Sequence, residues 1–118
     1  MNRVELTGRV VRDDFRYTKA GYPMMQITLA VYSEPRFDRE SGKALAESNF
    51  VAVTFWGKYG EALAEEGFRE GEMMYVLGEV SQSEWTDADT GRKESKTRVK
   101  GVLAHRLEPA VELIGVDI

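Results

Sequence analysis

The middle of the chain contains the run Phe50-Val51-Ala52-Val53-Thr54-Phe55-Trp56, which is rich in β-branched and aromatic residues and ends at Gly57. Such a composition favours a β-strand. Because alternate side chains of a strand point to opposite faces, the odd-numbered residues of the run are predicted to face the core. The other face then has Phe50 and Trp56 at its ends, with small residues between them. We interpret this face either as a platform on which bases stack or as a surface covered by a second subunit.

Alternation of apolar and polar residues predicts four further strands, two before this run and two after it. They cover residues 3–11, 25–31, 73–80 and 93–107. The polar residues 12–22 are predicted to form a turn between the first two strands. Residues 33–48 are predicted to form a long polar loop, and residues 58–66 a short helix that ends at Gly67.

Five strands with a single helix between the third and the fourth are typical of a small Greek-key barrel of the oligonucleotide/oligosaccharide-binding type, the OB-fold. We therefore predict an all-β protein with one short helix, folded as a five-stranded OB-fold Greek-key barrel. A five-stranded sandwich is the alternative, but it gives no reason for a helix at that position. The length allows one domain, which we place at residues 1–109, followed by a short C-terminal extension at residues 110–118.

Charge is distributed unevenly along the 118-residue chain, whose formal net charge is −4. Residues 60–90 hold nine acidic residues and one basic residue, whereas residues 92–106 hold six basic residues and one acidic residue. Three of these basic residues, Lys96, Arg98 and Lys100, alternate along one face of the fifth predicted strand. They are interpreted either as a row of phosphate contacts or as an ordinary solvated strand face. A basic surface can therefore exist on an acidic protein.

The sequence lacks the usual signs of an enzyme. It has no cysteine and only one histidine, His105, so thiolate metal sites and a histidine-based metal cluster are excluded. A glycine-rich phosphate loop, a nucleophile elbow and metal-ligand spacing are all missing. We therefore expect a binding protein with no cofactor and no metal. Because the chain has no apolar run of bilayer length and no signal-peptide pattern, we expect it to be cytoplasmic.

Several segments, in this order and at this approximate spacing, resemble the bacterial single-stranded DNA-binding proteins. These segments are Asn2-Arg-Val-Glu-Leu-Thr-Gly-Arg9, Phe15-Arg-Tyr-Thr18 with Gly21, Ile27-Thr-Leu-Ala30, Phe55-Trp-Gly-Lys58, and Glu84-Trp-Thr-Asp87 with Gly91. The resemblance covers residues 2–107. It implies an OB-fold that binds single-stranded DNA with little sequence preference during replication, recombination and repair, in association with the nucleoid. It also implies self-assembly, usually as a homotetramer, with a homodimer as the alternative.

The resemblance also implies roles for individual residues. Phe50, Trp56 and Trp85 match positions where aromatic side chains of the family stack on bases. Phe37 is expected to replace the family's aromatic residue in the loop after the second strand, near Pro35. The phosphate contacts are expected to come from the basic residues Arg3, Arg9, Lys43, Lys58, Arg92, Lys93, Lys96, Arg98 and Lys100.

The chain departs from the family pattern at two places that bear on its partners. Leu77 is apolar where the family is usually polar, so the contact between subunits is expected to differ. The sequence stops at Ile118 without the long tail and acidic tip by which the family recruits repair enzymes, so such recruitment is not expected here. Two other functions stay open. One is a replication-restart adaptor resembling primosomal replication protein B, which contacts DNA and a helicase, and the other is a structural oligomer whose outer aromatic residues are buried between subunits.

Overall fold

The computed structural model describes residues 1–33, 36–45 and 48–107 and contains seven strands and one helix in that part of the chain. They are β1 (Val4–Tyr17), β2 (Pro23–Tyr32), β3 (Arg36–Phe37), β4 (Ala44–Leu45), β5 (Ser48–Trp56), α1 (Gly57–Glu66), β6 (Met73–Thr86) and β7 (Lys93–Arg106). Five long strands close into a barrel in the order β1-β2-β5-β7-β6, and β6 pairs back onto β1. The prediction of a five-stranded OB-fold barrel with one helix is confirmed, and the sandwich alternative is wrong.

The core of the barrel is built from the inward-facing residues of β1, β2, β5 and β6, and Leu63 of α1 packs against them. Val53 and Phe55 are fully buried, so the predicted core face of β5 is confirmed. Each large apolar side chain removed from water in this way contributes about 1.5–3 kcal/mol. The buried apolar residues are Val10, Met25, Ile27, Leu29, Val53, Phe55, Leu63, Met74 and Val76.

The predicted turn at residues 12–22 is wrong over its first half, because β1 continues to Tyr17. The pairing of β1 with β2 shifts by one residue between Val10 and Arg12, which is the signature of a β-bulge. After the bulge the alternation resumes, and Phe15 packs against the core. The chain then turns at residues 18–22, where Gly21 adopts a φ of 87° and its amide donates to the Thr18 carbonyl oxygen.

The predicted strand at residues 73–80 is too short, since β6 continues to Thr86 and pairs with β7 along its whole length. The outer part of the β6–β7 hairpin, residues 81–86 paired with 93–98, is called the hairpin arm below. On its β6 side every residue except Trp85 is polar, and none of residues 81–86 is buried. Within the predicted loop at residues 33–48, β3 and β4 form a separate two-stranded sheet. The predicted extension at residues 110–118 lies outside the described residues. No helix in the described ranges has the length and apolar character needed to cross a membrane.

β7 passes very close to the core ring of Phe55. Gly101 lies opposite Gly78 in the β6–β7 ladder, and a Cβ placed on Gly101 would overlap the Phe55 ring. Because Phe55 is completely buried, it has no free space into which to move. Only a residue without a side chain therefore allows β7 to close the barrel at this point.

A small polar cluster joins β1 to β6 on the outside of the barrel. The Arg3 guanidinium and the Tyr75 hydroxyl both donate to the Glu5 carboxylate, at 2.7 and 3.0 Å. The hydrogen bonds from Arg3 and then Tyr75 hold the pKa of Glu5 below its ordinary value of 4.5. Desolvation, followed by the hydrogen bond to Glu5, raises the pKa of Tyr75.

We expect Gly101→Ala to lower the free energy of unfolding by about 1–3 kcal/mol, because the new methyl group overpacks the core against Phe55. Urea denaturation followed by circular dichroism measures the change. Ser95→Ala, an exposed position on the same strand, is the matched control and should leave the midpoint unchanged. An unshifted midpoint for Gly101→Ala would contradict the packing argument.

The polar cluster predicts a specific pH dependence of stability. Because the pKa of Glu5 is depressed in the folded chain, its contribution is present above pH 4.5 and is lost as the pH falls through the folded-state pKa. Glu5→Gln should therefore be less stable than the wild type at pH 7, and this difference should shrink towards pH 3. Urea midpoints measured at several pH values check this, and a difference that stays constant with pH would rule out the ionised cluster.

Candidate nucleic-acid interface

The outer face of β2 and β5 carries the two aromatic side chains predicted from the sequence. Phe50 lies opposite Ala30 and Trp56 lies opposite Met24 in the antiparallel ladder. Phe50 is 71% exposed and Trp56 is 45% exposed. Six residues of extended strand separate them by about 20 Å, so one planar ligand cannot contact both rings. The rows between them hold small or uncharged side chains, namely Gln26, Thr28, Ala52 and Thr54.

A groove of about 420 Å³ joins Trp56 to the hairpin arm. On the β5 side it is lined by Thr54 and Trp56, and on the arm side by Arg98 and Lys100. The parallel pairing of β5 with β7 sets Thr54 directly beside Lys100. Arg98 Nε donates to Ser83 Oγ at 3.0 Å, which fixes the guanidinium at the groove wall. One large ring and two cations therefore line the same groove.

Trp85 lies further out on the arm, near the end of β6, and is 46% exposed. It has the same strand parity as Ser83, which lines the groove two residues earlier. Its cross-strand partner on β7 is Glu94, whereas the partner of Ser83 is Lys96. The ring of Trp85 therefore has a carboxylate beside it, followed by the first cation of the row on β7.

The outer face of β2 and β5 between Phe50 and Trp56 is called the platform below. Three arginines of β1 border the platform on the side away from β7. Arg9 pairs with Ala30, Arg12 with Thr28 and Arg16 with Met24, which lie on the outer face of β2. Arg9 Nη1 donates to the Gly71 carbonyl oxygen at 3.0 Å, and Arg16 forms an ion pair with Asp14. Arg12 is exposed and has no ion-pair partner among the described residues.

Arg12 and Arg16 are not among the residues predicted from the sequence, because the polar residues 12–22 are predicted to form a turn. The signal that reveals them is Phe15, an apolar residue in a polar stretch whose ring packs on the core. An inward Phe15 requires Arg16 to point outward, so the strand pattern extends past the bulge.

The other predicted basic residues lie apart from the groove. Arg3 is held by Glu5 near the start of β1, and Lys58 is in the first turn of α1, two residues after Trp56. Lys43 closes the β3–β4 hairpin, where its carbonyl oxygen accepts from the Asp38 amide at 2.9 Å. Arg92 and Lys93 are at the tip of the hairpin arm.

Phe37 is highly exposed and lies in the separate β3–β4 sheet rather than on the barrel. Nothing in the described residues brings it together with the rings of β5, and Pro35 lies outside those residues. The described residues also contain no group of three histidine or acidic side chains that could hold a metal ion. The site thus consists of exposed rings, uncharged side chains and cations, with the Glu94 carboxylate next to Trp85.

Comparison with known proteins gives a consistent result. The sequence model of the Single-strand binding protein family matches residues 1–105. The chain is 32% identical over 108 residues to the single-stranded DNA-binding protein of Deinococcus radiodurans, covering 91% of this chain and 34% of that protein. It is 36% identical over 110 residues to single-stranded DNA-binding protein 2 of Listeria monocytogenes, covering 92% and 65%. The chain therefore spans between about a third and two thirds of the length of these relatives.

Solved structures agree with the sequence match. A deletion mutant of the Thermus aquaticus single-stranded DNA binding protein superposes with a TM-score of 0.75 at 27% identity, covering 92% of this chain and 51% of that one. The Plasmodium falciparum SSB complex with ssDNA superposes with a TM-score of 0.74 at 18% identity, covering 92% and 96%, a likeness of fold alone. The chain belongs to the single-strand binding protein family.

Proposed function

We propose that this protein binds single-stranded DNA with little sequence preference, by stacking bases on Trp56, Trp85 and Phe50 and by contacting phosphates with nearby cations. The observation that carries the proposal is the outer sheet face, where two exposed rings are bordered by arginines of β1 on one side and by Arg98 and Lys100 on the other. The names of the relatives support it, since they are single-stranded DNA-binding proteins.

The chemistry of this face fits an unpaired strand better than a duplex. Every base has a flat π-face, so a ring on a shallow surface binds any unstacked base, at about 1–3 kcal/mol per base. In a duplex the bases are already stacked on one another and cannot lie flat on Trp56. The small side chains between the rings leave the platform open, so the main contact offered to a base is stacking on a ring, which every base can make.

The phosphate contacts are proposed to come first from the cations that lie beside the rings. Arg98 and Lys100 share the groove with Trp56. Arg12 of β1 lies beside the platform, where it pairs with Thr28 of β2. Lys96 continues the row on β7 towards Trp85. Arg9 lies in the same sheet row as Phe50, with Ala30 between them. Lys58, Arg92 and Lys93 are a second set away from the groove, and Phe37 with Lys43 would act only on a longer strand that reaches the β3–β4 sheet.

We propose that the protein acts as a homo-oligomer, with a tetramer favoured over a dimer. Its outer β6 face supports self-association, because Tyr75 and Leu77 are half-buried apolar residues outside the core. One chain holds only a few nucleotides, and several chains on one strand raise the effective concentration of each further contact. Roles in replication, recombination and repair, at the nucleoid and without catalytic activity, follow from the same family membership.

The exposed rings favour direct binding of DNA over the other two functions. An adaptor that acts mainly through a helicase does not require an aromatic platform bordered by cations. A structural oligomer requires the same rings to be shielded by its own subunits. Tryptophan fluorescence separates direct binding from a structural oligomer, because a shielded ring responds neither to a soluble quencher nor to oligonucleotide.

Trp56→Ala should weaken binding of oligo-dT by about tenfold or more, because it removes the ring that lies in the groove with two cations. Fluorescence anisotropy of end-labelled oligo-dT measures the affinity, with duplex DNA of equal length as the competitor control. Trp56→Phe keeps a ring and should retain most of the affinity. An unchanged affinity for Trp56→Ala, with an intact circular dichroism spectrum, would remove Trp56 from the proposed site.

Arg12→Ala should reduce the salt dependence of binding, because one phosphate contact on a single strand contributes about −0.7 to the slope of log K against log salt. Arg3→Ala is the matched control: Arg3 is expected from the sequence to contact phosphate, but its pairing with Glu5 on the β6 side of the barrel removes it from the proposed contacts, so the slope should stay unchanged. The slopes are measured by titrating oligo-dT at four or more salt concentrations. Equal slopes for the wild type and Arg12→Ala would place Arg12 outside the interface.

A further inference from the structure

Tyr32 is the last residue of β2, and the sequence alone predicts no role for it. In the ladder it lies opposite Ser48, two residues from Phe50 on the same strand. Its parity is that of Met24 and Ala30, so it belongs to the outer face, and it is 61% exposed. A second exposed ring therefore lies diagonally next to Phe50, at the end of the platform farthest from Trp56.

The direction of the Tyr32 side chain is set by strand pairing that continues past the core. Asn49 pairs with Val31, and its Nδ2 donates to Ser33 Oγ at 3.2 Å, one residue beyond Tyr32. This hydrogen bond ties the end of β2 to the start of β5. The residue opposite Tyr32 is Ser48, whose small side chain leaves the space beside the ring open.

The spacing of the two rings suits a flat ligand. Diagonal neighbours on adjacent antiparallel strands are about 7–8 Å apart at the backbone, a spacing that long and aromatic side chains can bridge. In the described part of the chain, neither Tyr32 nor Phe50 forms an aromatic pair, whereas Phe15 with Tyr17 and Phe55 with Tyr59 do. The two exposed rings therefore lie close enough for one planar group to contact both, and they do not pack on each other.

A cation lies beside these two rings. Arg9 of β1 pairs with Ala30, and Ala30 pairs with Phe50, so the three residues form one row across the sheet. Arg9 is exposed, and only one contact is described for its guanidinium, with the Gly71 carbonyl oxygen. The row can therefore present a phosphate contact next to a stacked base, which is the pairing of chemistries that a nucleotide requires.

We propose that Tyr32 and Phe50 form a two-ring slot that holds one base of the bound strand at the end of the platform opposite Trp56. The slot rests on the proposed function, because its ligand is part of the same single-stranded DNA. It makes Tyr32 a base-contacting residue and gives the platform a second anchored point about 20 Å from the Trp56 groove.

The test measures oligo-dT affinity for Tyr32→Ala, Phe50→Ala and the double variant. Each single change should weaken binding by about tenfold, and the double variant should lose less than the product of the two losses, since both rings hold the same base. Tyr32→Phe should bind as the wild type does. Tyr17→Ala is the matched control, because Tyr17 is similarly exposed at 59% but has the inward parity of Phe15 and packs on its edge.

Each remaining outcome has a definite meaning. If Tyr32→Ala binds as tightly as the wild type while Trp56→Ala loses affinity, the slot is overturned and the proposed function stands. If the losses of Tyr32→Ala and Phe50→Ala multiply in the double variant, the rings hold separate bases and the shared slot is overturned. If the wild type does not bind oligo-dT, the proposed function fails and the slot fails with it. Circular dichroism confirms that each variant is folded, which is expected because both rings lie outside the core.

Discussion

The short parallel contact between β5 and β7 is the point on which the barrel and its surface both depend. It consists of two described pairs, Val53 with Val99 and Thr54 with Lys100. The contact is possible because Gly101 has no side chain to collide with the Phe55 ring. The same contact brings Lys100 next to the platform on β5. The contact that closes the core therefore also places the cationic wall of the groove.

One strand thus supplies the core from one face and the proposed binding surface from the other. Along β5 the inward residues are buried and hold the barrel together, while the outward residues leave Phe50 and Trp56 exposed to water. Since the pleat has a period of two residues, a one-residue slip would bury the wrong face and lose the core. The packing of Phe55 therefore fixes the direction of the neighbouring Trp56, so the proposed binding surface is held in place by the core.

The faces of β5 and the row on β7 could be predicted from sequence because both depend only on local alternation. The full length of β1 could not, because the bulge at Val11 adds a residue and reverses the parity of everything after it. The extension of β6 to Thr86 was missed for another reason. The outer part of β6 is a strand because it pairs with β7, and its mostly polar residues show no alternation of apolar and polar side chains. The role proposed for Tyr32 could not be predicted from sequence, because it depends on the diagonal position of Tyr32 next to Phe50, which only the register reveals.

The net charge of −4 does not prevent a phosphate from approaching this surface, because charges act over a limited range in salt. At physiological ionic strength the screening length is about 8 Å. Glu61, Glu65 and Glu66 of α1 lie five, nine and ten residues beyond Trp56, which corresponds to about 8, 14 and 15 Å along the helix axis, so only Glu61 comes within that length. Lys100 and Arg98, in contrast, both line the same groove as the Trp56 ring. A phosphate at that ring would therefore meet two cations in the groove and one carboxylate of the helix within the screening length. The acidic residues elsewhere disfavour phosphate contact with the rest of the surface, which supports the proposed binding on the platform.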